Sequence, residues 1–198
     1  AKTFDMGLEF LETNRDEDDW FLHIETFDPH EPFFTQEHYK QIYEHEYNGP
    51  LFDWPGYRRV TEPSEMVEHC RYEYAALVSM CDHHLGRILD FMDENQMWDD
   101  TMLIVNTDHG FLLGEHDWWA KCHMPFWNEV AHIPLFVWDP RVGACGQTRE
   151  ALVQTIDLAP TVLEYFDIDR TEDMQGVPLR ETIADDTTIR DAGLYGIH

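Results

Sequence analysis

Two neighbouring polar residues follow an apolar run in the middle of the chain and could hold a metal ion. Asp108 and His109 come shortly after the run 102–105, and Gly110 lets the backbone turn sharply behind them. Oxygen ligands favour calcium, magnesium or manganese, and an imidazole tilts the preference toward manganese or zinc. Taken alone, the tripeptide more often marks a turn-forming aspartate beside a surface histidine, so its context must decide.

A lysine farther along the chain is the second candidate. Lys121 lies 13 residues after Asp108, on a loop rich in aromatic side chains. A lysine held beside a metal can bind an anionic oxygen or stabilise charge on a leaving group. His123 lies close enough in sequence to assist it. The alternative is a surface lysine without a role.

A histidine between two prolines is the third candidate. His30 lies in the segment Asp28-Pro29-His30-Glu31-Pro32-Phe33, directly after an apolar run. The prolines stiffen this loop, which suits a general acid or an anion-binding imidazole. Because the chain has 12 histidines, a loop histidine without a role is the alternative.

The hydrophobic pattern predicts an α/β fold that would position these residues. Strand, helix and strand alternate along the chain, which favours a largely parallel sheet with helices on both faces. Ligands bind beyond the carboxyl ends of such strands, so His30 and Asp108 are expected at the same rim. The predicted elements are a helix at 3–14, a buried strand at 20–24, a long lid-like loop at 36–62, a helix at about 63–95, strands at 102–105 and 134–138, and a helix at about 157–166 with Asp157 as its N-cap.

Composition excludes several classes of partner. The 198 residues include 13 basic and 40 acidic side chains, a net charge of −27 that argues against nucleic acid and anionic membrane surfaces. At 43% hydrophobic residues, the chain can bury one sizeable core. No apolar run reaches the length of a membrane span, and the four cysteines form no CxxC pair. An enzyme with this charge would need local cations or a metal to bind an anionic ester.

Five ordered segments together resemble the sulfatase family of the alkaline phosphatase superfamily. The resemblance implies an alkaline-phosphatase-like, mostly parallel sheet flanked by helices, incomplete because its N-terminal part is absent. The matching segments are Pro29-His30-Glu31-Pro32-Phe33, Thr107-Asp108-His109-Gly110, Leu113-Gly114-Glu115-His116 followed by Lys121 and Ile133-Pro134-Leu135, Asp157-Leu158-Ala159-Pro160-Thr161, and Gly176-Val177-Pro178-Leu179.

The resemblance also implies roles for individual residues. Asp108 and His109 would be two ligands of a single divalent cation, calcium in the first place, with manganese or magnesium as alternatives. Lys121 would contact the sulfate and the leaving-group oxygen, and His30 would contact substrate as a candidate general acid. His123 is a weaker candidate for substrate binding. The family's nucleophile is a formylglycine made from a Cys/Ser-x-Pro-x-Arg motif.

That nucleophile motif does not occur in these 198 residues, and neither does the family's N-terminal pair of acidic metal ligands. Both belong upstream of the Pro-His-x-Pro-Phe segment. The sequence therefore predicts part of a sulfatase domain over residues 1–198, with 177–198 a tail leading to a missing C-terminal subdomain. The chain alone is expected to be inactive, and its localisation and oligomeric state stay open.

Several functions remain compatible with the residues. The first expectation is hydrolysis of a small-molecule or carbohydrate sulfate ester. The alternatives are a phosphonate monoester or phosphodiester hydrolase of the same superfamily, a non-catalytic binding module derived from a sulfatase, and an acidic structural domain whose motif matches are accidental.

Overall fold

The computed structural model describes residues 2–193, which divide into two compact units. The first unit contains residues 2–96 and 111–130, and the second contains 97–110 and 131–193. The last five residues of the predicted tail, 194–198, lie outside the described residues. In chain order the elements are α1 (Lys2–Asn14), α2 (Glu37–Lys40), α3 (Ser64–Glu94), β1 (Leu103–Asn106), β2 (Leu112–Leu113), β3 (Trp119–Ala120), α4 (Asn128–Ala131), β4 (Leu135–Trp138), α5 (Leu158–Tyr165) and α6 (Arg180–Asp185).

The long helix α3 is the main element of the first unit, and its bounds agree with those of the helix predicted at about 63–95. It begins directly after Pro63, whose fixed φ suits the entry to a helix. Its buried side chains recur three and four residues apart, as on the core-facing side of an amphipathic helix. Around it lie the fully buried Phe33 and Trp119, which follow His30 and precede Lys121 in the chain. The core therefore anchors both candidate catalytic residues.

Residues 20–24 do not form the buried strand that the apolar run predicts. The segment has no strand partner among residues 2–193, and Phe21 is 63% exposed. Its Ile24 instead packs onto α1 at Gly7, where a Cβ would lie 2.5 Å from the isoleucine side chain. An apolar run indicates burial against some surface, and here that surface is a helix.

Residues 36–62 contain little regular structure. They hold α2, a single 3-10 turn at Gln41–Tyr43 and one isolated bridge between Arg59 and Trp118. That bridge, together with the amide of Trp119 donating to the carbonyl of Arg58 at 2.9 Å, attaches this segment to the chain that leads into Lys121.

The second unit is built around a pair of strands. β1 and β4 lie within one residue of their predicted positions and pair in antiparallel register, from Leu103 opposite Trp138 to Asn106 opposite Leu135. The β2–β3 pair of the first unit is also antiparallel. A mostly parallel sheet is therefore not seen in the pairings of the described residues. A parallel pair needs a crossover connection, usually an α-helix, and the only α-helix between β1 and β4 is the four-residue α4.

The turn before α5 organises the rest of this unit. Asp157 precedes the helix as predicted, but its fully buried carboxylate does not cap α5. It accepts the backbone N–H groups of Gln154 at 2.7 Å and Val177 at 2.9 Å, and it forms an ion pair with Arg190. These contacts link the turn to residues 20 and 33 positions farther along the chain, so the aspartate has a structural role. Between residues 2 and 193, no helix combines the length and apolarity that a membrane span needs.

Candidate active site

Lys121 follows the buried strand β3 and turns into the first unit. Its neighbours Ala120 and Cys122 have φ angles of 70° and 78°, a region that residues with a Cβ seldom occupy. Lys121 itself is only 7% exposed. Burying an ammonium group costs free energy unless the group is hydrogen-bonded and neutralised. The partners of Lys121 therefore define the candidate site.

The first partner of Lys121 is His30, 91 residues away in sequence, at 2.7 Å between Nζ and Nε2. The other ring nitrogen of His30 lies 2.7 Å from the carbonyl oxygen of Glu31. A carbonyl can only accept, so Nδ1 carries the proton and donates it. Nε2 therefore presents its lone pair and accepts a hydrogen bond from the Lys121 ammonium. The structure brings the two predicted residues together with a defined imidazole tautomer.

The second partner of Lys121 is Glu31, which is 2% exposed. Its Oε2 lies 3.5 Å from Lys121 Nζ and 3.3 Å from His30 Nδ1, and its Oε1 accepts a short hydrogen bond from the hydroxyl of Tyr57. Burial raises the pKa of Tyr57, and the hydrogen bond to Glu31 and its charge raise it further. The phenol thus stays protonated as a donor across the ordinary pH range.

Sequence reasoning gave neither Glu31 nor Tyr57 a role. Glu31 occupies the variable position of the Pro-His-x-Pro-Phe segment, so the only available signal was its place beside His30. Tyr57 lies 26 residues from Glu31 in an irregular segment, and nothing in its local sequence distinguishes it from other tyrosines.

Aromatic rings border the Lys121–His30 pair. The ring of Phe27 lies 4.5 Å from that of His30, and Lys121 Nζ lies 5.7 Å from the centre of the Phe111 ring. Phe27 is 68% exposed, so it offers an accessible apolar face next to the imidazole. His123 is exposed and its ring edge packs on Tyr57 at 6.2 Å; its role in substrate binding stays a prediction.

Asp108 and His109 lie in the second unit, two and three residues after β1. His109 Nδ1 is 3.0 Å from the carbonyl oxygen of Gly110 and therefore donates to it. Nε2 of His109 then carries a free lone pair and lies 3.6 Å from Oδ2 of Asp108, whose side chain is 83% exposed. The other oxygen, Oδ1, accepts the backbone N–H of His109 at 2.9 Å.

This pair fits two ligands of a divalent cation. Ligands at right angles and at metal distances of about 2.1–2.4 Å have their donor atoms roughly 3.0–3.4 Å apart, close to the observed separation. A carbonyl that accepts from Nδ1 is the usual way in which a protein presents Nε2 to a metal. Within residues 2–193, no three His, Cys, Asp or Glu side chains are grouped to hold a metal, so further donors would be needed.

The prediction that Asp108 and His30 share one rim concerns residues of two different units and stays a prediction. Each unit contains one group of candidate residues, and each group is described by itself. The first unit holds a buried Lys–His–Glu group with a tyrosine, and the second holds an Asp–His pair whose donor atoms lie 3.6 Å apart.

The fold resembles that of enzymes from the alkaline phosphatase superfamily. The phosphonate monoester hydrolase of Silicibacter pomeroyi superposes on 93% of the chain with a TM-score of 0.77 at 24% identity, and 41% of that protein is covered. A solved structure described as a complex with its substrate D-glucosamine-2-N,6-O-disulfate matches 65% of the chain and is covered over 26% of its own length, with a TM-score of 0.59 and 28% identity. These likenesses define the class: an alkaline-phosphatase-like domain.

The chain belongs to the sulfatase family, whose model matches residues 1–168. Among curated relatives, the N-acetylglucosamine-6-O-sulfatase of Bacteroides thetaiotaomicron is 32% identical over 111 residues, which cover 56% of this chain and 20% of that protein. The chain spans less than half the length of the first curated relatives that it matches, between 20% and 43%. The family prediction is thereby confirmed, and the activity of the whole protein is a separate question.

Proposed function

We propose that the intact protein hydrolyses a sulfate ester, with Lys121 and His30 in contact with the ester group. The contact that carries this proposal is the 2.7 Å hydrogen bond between Lys121 Nζ and His30 Nε2. An ammonium has three N–H donors. His30 Nε2 and Glu31 Oε2 account for two of them, which leaves the third for an anionic oxygen of the substrate.

Lys121 and His30 would act on the leaving group. As the S–O bond of the ester breaks, negative charge develops on the leaving oxygen, and a positioned ammonium stabilises it. In the observed tautomer His30 has no proton on Nε2, so the proton closest to a leaving group is on Lys121. His30 becomes the general acid of the sequence-based hypothesis only after Nε2 has received a proton.

Asp108 and His109 are proposed as two ligands of a divalent cation, calcium in the first place. When bound, that cation would polarise the ester oxygens. The nucleophile is proposed to be a formylglycine that lies outside these 198 residues, because no Cys/Ser-x-Pro-x-Arg motif occurs within them. We accordingly expect the 198-residue chain by itself to show no turnover.

A sulfated carbohydrate is the proposed substrate class. Support comes from the similarity to a curated N-acetylglucosamine-6-O-sulfatase and from the glucosamine disulfate in the related solved structure. The exposed ring of Phe27 beside His30 is compatible with a sugar, since aromatic faces pack against pyranose rings. The second candidate is a phosphonate monoester hydrolase, because the chain shares its fold with such an enzyme.

An assay of the intact protein on three substrates distinguishes these functions. N-acetylglucosamine-6-sulfate, 4-nitrophenyl sulfate and 4-nitrophenyl phenylphosphonate are compared by kcat/KM with calcium or manganese present. A higher kcat/KM for the sulfate esters supports the proposal. Turnover of the phosphonate alone would replace it with the second candidate, and binding of the sugar sulfate without any turnover would indicate a non-catalytic module.

A further inference from the structure

We propose that Glu31 is a positioning residue: it supplies the counter-charge of Lys121 and, held by Tyr57, fixes the Lys121–His30 pair for protonation of the leaving group. This inference rests on the proposed function. It assigns roles to two residues that the sequence motif does not identify.

Burial is the first argument. The side chains of Lys121 and Glu31 are only 8% and 2% exposed. In the part of the chain that the structure describes, Glu31 is the one carboxylate within ion-pair distance of Lys121. Two opposite charges removed from water depend on each other, because either charge left alone is strongly unfavourable. Glu31 thus supplies the counter-charge that holds the lysine in place.

The second argument is that the two oxygens of the Glu31 carboxylate contact different neighbours. Oε1 accepts from Tyr57, whereas Oε2 faces both Lys121 Nζ and His30 Nδ1. A carboxylate held at one oxygen by a rigid phenol cannot rotate freely about its last bond. Tyr57 therefore directs Oε2 toward the pair, and the raised pKa of Tyr57 agrees with a phenol that stays protonated.

The geometry separates the role of Glu31 from that of its own backbone. The carbonyl of Glu31 already fixes the tautomer of His30, and it is retained when the side chain is replaced. The Glu31→Gln variant consequently removes charge while leaving the tautomer and the side-chain volume nearly unchanged. Its effect should appear in the behaviour of Lys121 and in leaving-group chemistry.

The kinetic test compares substrates with good and poor leaving groups in the intact protein. For Glu31→Gln we expect kcat on a sugar sulfate to fall about 30-fold and kcat on 4-nitrophenyl sulfate about threefold, because a nitrophenolate leaves without needing a proton. Tyr57→Phe should give a smaller loss with the same substrate bias. Glu25→Gln, an exposed glutamate of the same segment, is the matched control and should change neither rate. Equal losses on both substrates for Glu31→Gln and Tyr57→Phe would mean that the two residues only stabilise the fold.

An NMR measurement tests the same inference without turnover. The Nζ signal of Lys121, assigned by its absence in Lys121→Arg, should show ammonium protons that exchange slowly with water in the native protein. In Glu31→Gln this exchange should be about tenfold faster, since one of the hydrogen-bond partners has lost its charge. Unchanged exchange in Glu31→Gln would overturn the role of Glu31.

The two readouts separate the inference from the proposed function. If the intact protein hydrolyses no sulfate ester but Glu31→Gln releases the Lys121 protons, the proposed function fails and the pairing of charges stands. If the protein is active but neither readout changes, the inference fails alone. Where Glu31→Gln does not fold, Glu31→Asp and Tyr57→Phe carry the same comparison.

Discussion

The buried Lys121–Glu31 pair makes a quantitative prediction about stability. In Lys121→Met, a side chain of similar volume replaces the lysine, so that the change is chiefly the loss of one charge. Glu31 then stays buried with the hydroxyl of Tyr57 and Nδ1 of His30 as its remaining partners. Removing one member of a buried ion pair costs about 3–5 kcal/mol. The 3.5 Å separation and the retained tyrosine should bring this loss to the bottom of that range or slightly below it, about 2–3 kcal/mol.

The double variant Lys121→Met/Glu31→Gln isolates the electrostatic part of that loss. It contains no unpaired buried charge, so it should be more stable than Lys121→Met alone, although it has one more substitution. We expect a coupling free energy of about 2 kcal/mol in the double-mutant cycle. Urea unfolding of the wild type, both single variants and the double variant gives the four free energies of unfolding.

Additive losses would refute this reasoning. If the double variant is destabilised by the sum of the two single effects, Lys121 and Glu31 do not neutralise each other. The short contact of Lys121 with His30 would then be its main interaction, and Glu31 would serve only Tyr57. The slope of the free energy against urea concentration must stay constant across the four proteins for the comparison to hold.

Two further predictions concern pH and metal. Burial raises the pKa of Glu62, but hydrogen bonds from Trp119, Thr61 and Arg58 lower it to about 2; its contribution to stability is therefore complete above about pH 4.5 and is lost as the pH falls toward 2. In Glu62→Gln, the loss of unfolding free energy between pH 4.5 and pH 2 should be smaller than in the wild type by about 1–2 kcal/mol, as measured by urea unfolding at several pH values. The same loss in both proteins would contradict the lowered pKa of Glu62. For the metal, Asp108→Asn should weaken calcium binding to the intact protein by tenfold or more in calorimetry, about the effect of losing one charged ligand; equal affinities would remove Asp108 from the ligands.

The sequence led to His30 and Lys121 because each lies in a short motif with its own reason for local order. His30 is bracketed by prolines, and Lys121 follows a buried strand. Their contact across 91 residues could be predicted only from the resemblance of several ordered segments to one family. Tyr57 lies in no such motif, and its relation to Glu31 depends on the path of an irregular segment.

Strand direction was the other property that local pattern could not give. The apolar runs at β1 and β4 mark their positions to within one residue, yet the same runs would serve a parallel pair. Direction depends on the path of the connection between them, which here contains the β2–β3 pair, a 3-10 turn and the four-residue α4. The run at 20–24 is only partly buried, and its Ile24 packs against Gly7 of α1.

The Lys121–Glu31 ion pair also bears on how so acidic a protein would bind an anionic ester. With 40 acidic and 13 basic residues, the overall field repels sulfate esters. Lys121 offers a hydrogen bond, but its charge is balanced by Glu31, so the group has no net charge to attract an ester. We propose that attraction would then come from another cation in the intact protein. A divalent ion, for which Asp108 and His109 are the proposed ligands, would supply that charge, and Lys121 would recognise where charge develops during the proposed reaction.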